Sequence, residues 1–361
     1  MVRDHEVVGS NPTYPIISLL ADFLFALLKI PILQVPIHIC FITIFPHKTY
    51  IFKYLICLNN KLMNERILTE LRDHLLNRIS FDNLPENVWK RTGALNTWGT
   101  NAVEGNTLTW HDVERLLIDQ RSIADRPVPD VLETIQHETA FRGLISRRLA
   151  PMTLMTVLEL HELVFREILN DAGHWRRINV RIAGSKYVPP RMEKVVELMQ
   201  EYVQEYEQRD VRGDSIFQLG AWMHHRFESI HPFSNGNGRV GRLLLNLHFL
   251  KHNWPPVHIL PEDKDGYYEC LEIGHSGDHS KLEGFLKVTM GRSFLDLLDR
   301  VGTKRDELKR LKQLKNSKSY SAKYLSLLVQ KGRLPAVRIK GDFFTSERAL
   351  ELYQRSVRRN R

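Results

Sequence analysis

Cysteine is scarce in this chain of 361 residues: Cys40, Cys57 and Cys270 are all there is. An odd number at spacings that no metal site uses argues against a disulfide framework and a zinc site, and a reducing cytoplasm is the expected compartment. Long apolar runs are lacking too. Positions 15–58 are rich in Ile, Leu and Phe, yet Asp22 and Lys29 interrupt them, and the longest uncharged run, Ile30 to His47, contains Pro31, Pro36 and Pro46, which would break a helix. This is a poor membrane span, so a membrane partner is not expected, and Asp4 and Glu6 near the start spoil a signal peptide. Nor is charge of one sign spread along the chain. The net charge is +9, but residues 301–361 hold 17 Lys and Arg against 5 Asp and Glu, which leaves −3 for residues 1–300. The basicity belongs to the tail. With 43% apolar residues the chain can build a sizeable core, and its length allows two or three domains.

Residues 1–62 read unlike the rest. Gly9-Ser10-Asn11-Pro12 is what GGT-TCG-AAT-CC encodes, and that string resembles the T-arm of a transfer-RNA gene. The segment is therefore expected to be a translated gene end with an AT-rich spacer, and translation is expected to begin at Met63.

From Asn64 the pattern is helical. Ile67, Leu68, Leu71, Leu75, Leu76 and Ile79 mark an amphipathic helix. After Pro85 a second helical stretch ends in TNAVEGNTLT, residues 100–109, where Gly105 and Asn106 supply a stop and Thr109 with Asp112 a capping box. Glu104 in the last turn faces the negative end of the helix dipole at a cost of about 0.3–1 kcal/mol, so it should point into water or meet a cation. Helical spacing continues to residue 172, with Thr153 at a cap. Then GHWRRINVRIAGSKYVPP, residues 173–190, changes period: Ile178, Val180 and Ile182 alternate with Asn179, Arg181 and Ala183 before a Gly-Ser turn, as in a short hairpin.

The stretch that organises the chain is His231 to Arg242, HPFSNGNGRVGR, flanked by apolar residues at helical spacing on both sides. Gly236 and Gly238 let backbone approach a ligand closely, and Asn237 is a good N-cap for the following helix. A helix N-terminus offers unpaired N–H groups and a positive dipole end, to which Arg239 and Arg242 add two forked cations on one face. His231 is the group there suited to taking a proton near neutral pH. Such a set points to phosphoryl or nucleotidyl transfer.

This segment resembles the signature of Fic-domain proteins, HxFx(D/E)GNGRxxR, at His231, Phe233, Gly236, Asn237, Gly238, Arg239 and Arg242. It departs at Asn235, where the family carries an acid that helps hold Mg²⁺; an amide oxygen there should bind the ion more weakly. A second family motif, (S/T)xxxE(G/N) of an inhibitory helix, is matched by Thr100, Glu104 and Gly105 near residues 88–105. The resemblance implies a mostly α fold: a Fic-like helical core with a β-hairpin flap at 173–190 that holds a target segment by backbone pairing. It further implies ATP and Mg²⁺ as cofactors and transfer of AMP to a Ser, Thr or Tyr hydroxyl of a target protein. His231 would be the base, and Gly236, Asn237, Gly238, Arg239, Gly241 and Arg242 would hold the nucleotide. Tyr268 would lie against adenine, Asn235 at the metal, and Glu104 on Arg242 to hold the enzyme off.

In the tail, Lys304 to Lys318 reads as a basic helical linker. Residues 319–353 resemble the small helix-turn-helix of excisionase and MerR-like proteins, with Ser321 at a cap, Gly332 in a turn, and Val337–Ile339 and Phe343-Phe344 as wing strands. The expected domains are thus 1–62, an atypical segment; 63–172, N-terminal helices; 173–300, the core; and 301–361, a winged helix-turn-helix that contacts DNA phosphates. Three alternatives stay open: a Fic enzyme using another donor or removing AMP, a DNA-binding regulator with a weakened Fic core, and a structural interaction module. A homodimer is also among the expectations.

Overall fold

The structure, a computed structural model, describes residues 63–314 and 320–358; the reading of residues 1–62 lies outside the described residues. Helix α1 (Glu65–Leu76) starts where the Asn64 side chain accepts the Arg66 N–H at 3.0 Å, and it buries Ile67, Leu68, Leu71 and Leu75, the face that the spacing marks. Helix α2 (Glu86–Val103) stops at Glu104 because Gly105 takes φ +99°, a backbone that side chains rarely adopt. Thr109 and Asp112 form the expected capping box on α3 (Trp110–Val113), which runs on as a π turn to Ile118. Then come α4 (Val128–Arg142), α5 (Leu144–Arg147) and α6 (Leu154–Phe165), the last capped by Thr153.

Helices α7 (Val195–Arg212) and α8 (Ile216–Ile230) lead to the signature loop, and α9 (Asn237–Lys251) leaves it. In α9 the residues Leu243, Leu244, Leu245, Leu247, Phe249 and Leu250 are all buried, and α2, α5, α6 and α8 pack around them. A helix apolar on every side belongs at the centre of a fold. Each buried leucine contributes about 1.5–3 kcal/mol, so the N-terminus of α9 is anchored by the core and not by the loop. Helices α10 (Lys264–Gly274) and α11 (Ser280–Val301) follow, and α11 packs on α8 and α1. No helix among the described residues is long and apolar enough to cross a membrane.

Residues 173–190 do not form the expected hairpin: none of them belongs to a strand. One turn closes from the Ser185 N–H to the Ile182 carbonyl at 3.3 Å, but each arm bonds to side chains of the core and of the segment itself. Arg176 takes the carbonyls of Ile178 and Pro190, Asn179 accepts the Met192 N–H, and Glu272 accepts the Ser185 hydroxyl. The alternation Ile178-Val180-Ile182 is real in the sequence, yet side-chain partners replace the ladder.

The tail also departs from expectation. Among the described residues of the expected basic helix, 304–314 do not form one. Lys309–Arg310 is a strand, β1, and Leu311 and Leu314 are buried. A helix would set Arg305 and Lys309 one turn apart as like charges; instead they pair with Glu351 and Glu347. Helix α12 (Ala322–Gln330), capped by Ser321, turns at Gly332 straight into a hairpin of β2 (Val337–Ile339) and β3 (Asp342–Thr345), after which α13 (Glu347–Arg358) closes the module. The antiparallel sheet has the order β1-β3-β2, with Lys309 opposite Thr345 and Val337 opposite Phe344. The wing strands fall where the sequence puts them, but the two-helix unit of a helix-turn-helix does not form among the described residues. The module is tied to the body by the buried Asp306, which accepts the Thr303 N–H (2.7 Å), its hydroxyl (2.6 Å) and Arg348 (2.5 Å), and faces His74 of α1 at 3.1 Å.

Candidate active site

Helix α8 ends at His231, whose backbone enters the left-handed region (φ 52°, ψ 60°) while its N–H still bonds the Phe227 carbonyl. Left-handed geometry is uncommon for a residue with a side chain and marks a held conformation. The Nδ1 atom of His231 lies 3.2 Å from the Glu228 carbonyl, which makes Nδ1 the protonated nitrogen and leaves Nε2 as the basic one. Burial lowers the pKa of the imidazole, and the charge of Arg176 acts in the same direction.

The loop is braced from within. Asn237 is not the N-cap: that position is Gly236, with φ +81° and no side-chain cap, and Asn237 is the first helical residue. Its buried amide spans the loop, accepting the Phe233 N–H at 2.8 Å and donating to the Phe233 carbonyl at 2.9 Å, so the side chain braces the loop. Phe233 in turn stacks on His161 with ring centroids 3.7 Å apart. Gly236 is required twice over, by its φ and because a Cβ would collide with the Phe165 ring. Gly241 lets α9 pack closely on α8, since a Cβ there would stand 2.6 Å from the Glu228 carboxyl.

With no side chain capping α9, its first N–H groups and positive dipole end remain for an anion. The chain's own Glu104 takes that place. Its carboxylate lies against Gly238, where a Cβ would collide with it, and 2.6 Å from Arg242 Nη2. Thr100 completes the hold on the guanidinium, its hydroxyl accepting Arg242 Nε at 2.5 Å and its carbonyl accepting Nη2 at 3.3 Å. Burial raises the Glu104 carboxyl, but Arg242 and Arg239 outweigh it and keep the group below the ordinary carboxylate value.

Arg239 is engaged by a residue that the sequence did not single out. Glu133 of α4 forms an ion pair with it, while Phe165 lies under the guanidinium 4.6 Å from its carbon. The Asn235 Oδ1 accepts Arg239 Nη2 at 3.2 Å and the Gly236 N–H at 2.6 Å. These contacts do not fit a protein-held Mg²⁺ ion: the amide oxygen expected as a ligand is occupied by two donors, and Glu104 and Glu133 are both ion-paired. Among the described residues no cluster of His, Cys, Asp and Glu is arranged for a metal. Tyr268 sits half exposed on α10, with its ring 5.3 Å from that of Tyr267; burial and the charge of Glu104 raise its hydroxyl to about 12.

Two further residues complete the site. Arg176 is buried and bonds the His231 carbonyl at 2.8 Å. Glu228 is buried with one carboxylate oxygen unpartnered, and burial pushes it up to about 8 even though Arg242 pulls it down. Nothing in the pair Arg176-Arg177 tells from sequence which arginine turns inward, and Glu133 lies on a helix of mixed pattern.

Residues 151–249 match the Fic/DOC family model. The chain is distantly related to protein adenylyltransferases. It is 27% identical over 222 residues to protein adenylyltransferase fic-1 of Caenorhabditis elegans, covering 59% of this chain and 42% of that protein. It is 28% identical over 182 residues to protein adenylyltransferase Fic of Drosophila ananassae, covering 50% and 36% respectively. The chain thus spans about two fifths of the length of these relatives. Among solved structures, a Fic domain containing signaling protein from Bacteroides thetaiotaomicron shares the fold with a TM-score of 0.59 at 22% identity, over 64% of this chain and 97% of that one. Fic-1 of C. elegans superposes with a TM-score of 0.56 at 25% identity, over 64% and 69%.

Proposed function

We propose that this protein transfers AMP from ATP to a Ser, Thr or Tyr hydroxyl of a protein, and that Glu104 holds it at rest. The observation that carries the reading is the Glu104 carboxylate at the N-terminus of α9, 2.6 Å from Arg242 and beside Gly238. An anion site built from amides, a dipole end and two arginines is filled by an internal carboxylate, next to a histidine whose basic nitrogen is free. When a nucleotide displaces Glu104, its phosphates take over the α9 N–H groups, Arg239 and Arg242. His231 Nε2 accepts the proton of the incoming hydroxyl as its oxygen bonds the α-phosphorus, and the bond to the β-phosphate oxygen breaks to release pyrophosphate. A base so placed contributes about 10²–10⁴-fold.

Relief of the internal anion tests the reading. The Glu104→Gly protein, incubated with labelled ATP and a host lysate, is expected to label itself and a target about 5–150-fold more than the parent, the range of ordinary coupling between sites. His231→Ala in the same background should abolish the label. A Glu104→Gly protein as quiet as the parent would sink the resting-state assignment, and label that survives His231→Ala would sink the base.

A further inference from the structure

We infer that Arg176 is a positioning residue that fixes the imidazole of His231 and both ends of the acceptor-binding segment 178–190 as one unit. The inference rests on the adenylyl-transfer reading for its chemistry, and on the following geometry for its substance. Arg176 is 3% exposed, and none of its nitrogens reaches a carboxylate among the described residues. Every guanidinium nitrogen donates to a main-chain carbonyl instead: Nε to His231 at 2.8 Å, Nη1 to Ile178 at 2.8 Å and Nη2 to Pro190 at 2.5 Å. Its own N–H bonds the Pro232 carbonyl at 2.9 Å.

A buried guanidinium with no carboxylate in hydrogen-bonding reach, only the more distant charge of Glu193, is a costly way to fill space. The three acceptors explain why one is here. They come from three separate points of the chain: the strained C-cap of α8, the start of the 178–190 segment and its end. A planar fork with donors at fixed angles sets the distances among all three, which a flexible ammonium or an apolar side chain does not do.

The segment needs such a tie because it has no ladder of its own. Beyond Arg176, its middle is held by Glu272, which accepts the Ser185 hydroxyl at 2.6 Å, and by Tyr187 stacked on His275 at 3.9 Å. Ile178 and Val188 remain exposed, apolar side chains on a segment with no strand partner of its own, and this is where a guest strand would be bound. Arg176 makes no hydrogen bond or ion pair with Glu104, Gly238, Arg239 or Arg242, so the acceptor side and the nucleotide side are separable.

The test uses the full chain carrying Glu104→Gly, with Arg176→Lys and Arg176→Gln added singly. Affinity for a fluorescent ATP analogue is expected to stay within about twofold, as for sites without shared partners. Transfer of labelled AMP to protein should fall on the order of 10²-fold, the effect of a misplacement near 1 Å. Arg176→Lys should not rescue, since charge without the fork does not set the geometry. Hydrogen exchange gives a readout independent of the reaction: amides within 178–190 and at His231 to Phe233 should exchange faster in both variants, with Leu243 to Leu250 unchanged. Unaltered exchange in 178–190 overturns the inference, and so does a loss of ATP affinity in step with transfer. Should the Glu104→Gly parent itself transfer no AMP, the proposed reaction fails while the exchange experiment still decides the role of Arg176.

Discussion

The Nδ1 atom of His231 sits 3.2 Å from the carbonyl oxygen of Glu228, one helical turn back on α8. The contact uses the last turn of a helix to select a tautomer. A base held in this way is ready without a proton shuffle, and its working pH is set by its surroundings.

Burial and Arg176 both lower the His231 pKa from the ordinary value of 6.5. A base works when neutral, so activity should persist to lower pH than for a solvated histidine. In the Glu104→Gly protein one influence that raises the imidazole is removed as well. The acid limb of kcat/KM for ATP, which reports the free enzyme, is therefore expected below pH 6.5. A limb at or above that value would contradict the assigned environment.

Glu133 and Glu104 each neutralise one of the two arginines that the proposed reaction gives to the triphosphate. Glu133→Gln keeps the shape and removes the charge. Fluorescence titration with an ATP analogue should show tighter binding by about 5–150-fold, with a larger gain in the Glu104→Gly double variant than in either single one. An unchanged affinity would mean that Arg239 is already available in the resting protein.

Loop geometry makes a further prediction. Gly236→Ala meets both a φ of +81° and the Phe165 ring, and Asn237→Ala leaves the Phe233 N–H and carbonyl unbonded in a buried place. Each is expected to lower stability by roughly 1–3 kcal/mol. Urea denaturation checks this through the midpoint, read at constant slope.

Acid should unfold the protein early. Burial lowers His137, His224 and His248 to about 3, and His161, His225 and His258 to about 4. Their folded-state values lie below the unfolded 6.5, so the unfolded chain takes up protons first. Their contribution is complete above pH 6.5 and is lost as pH falls through about 4 for three of them and about 3 for the others. Glu228 has the opposite sign: raised to about 8, it contributes stability below pH 4.5 that is lost as pH rises through 8. Between pH 4.5 and 6.5 six imidazoles outweigh one carboxyl, and the urea midpoint at pH 5 should be lower than at pH 7.

The amino-acid sequence by itself determined the parts whose physics is local. Caps at Thr109, Thr153 and Ser321, the break at Gly105, the apolar face of α1 and the glycine-bounded loop after His231 depend on neighbours a few positions away. Wing strands β2 and β3 were legible for the same reason. Glu104 and Arg242, 138 residues apart, were linked in advance only through two matched motifs.

Tertiary structure decided everything that turns on which polar atoms meet across the core. It turned Asn237 inward to brace the loop, gave the Asn235 oxygen to Arg239, and set Glu133 against Arg239. It replaced the ladder of residues 173–190 with the fork of Arg176, and the basic helix before α12 with a strand. Buried polar groups must find partners wherever the packing of helices brings them, and no spacing along the chain encodes that choice.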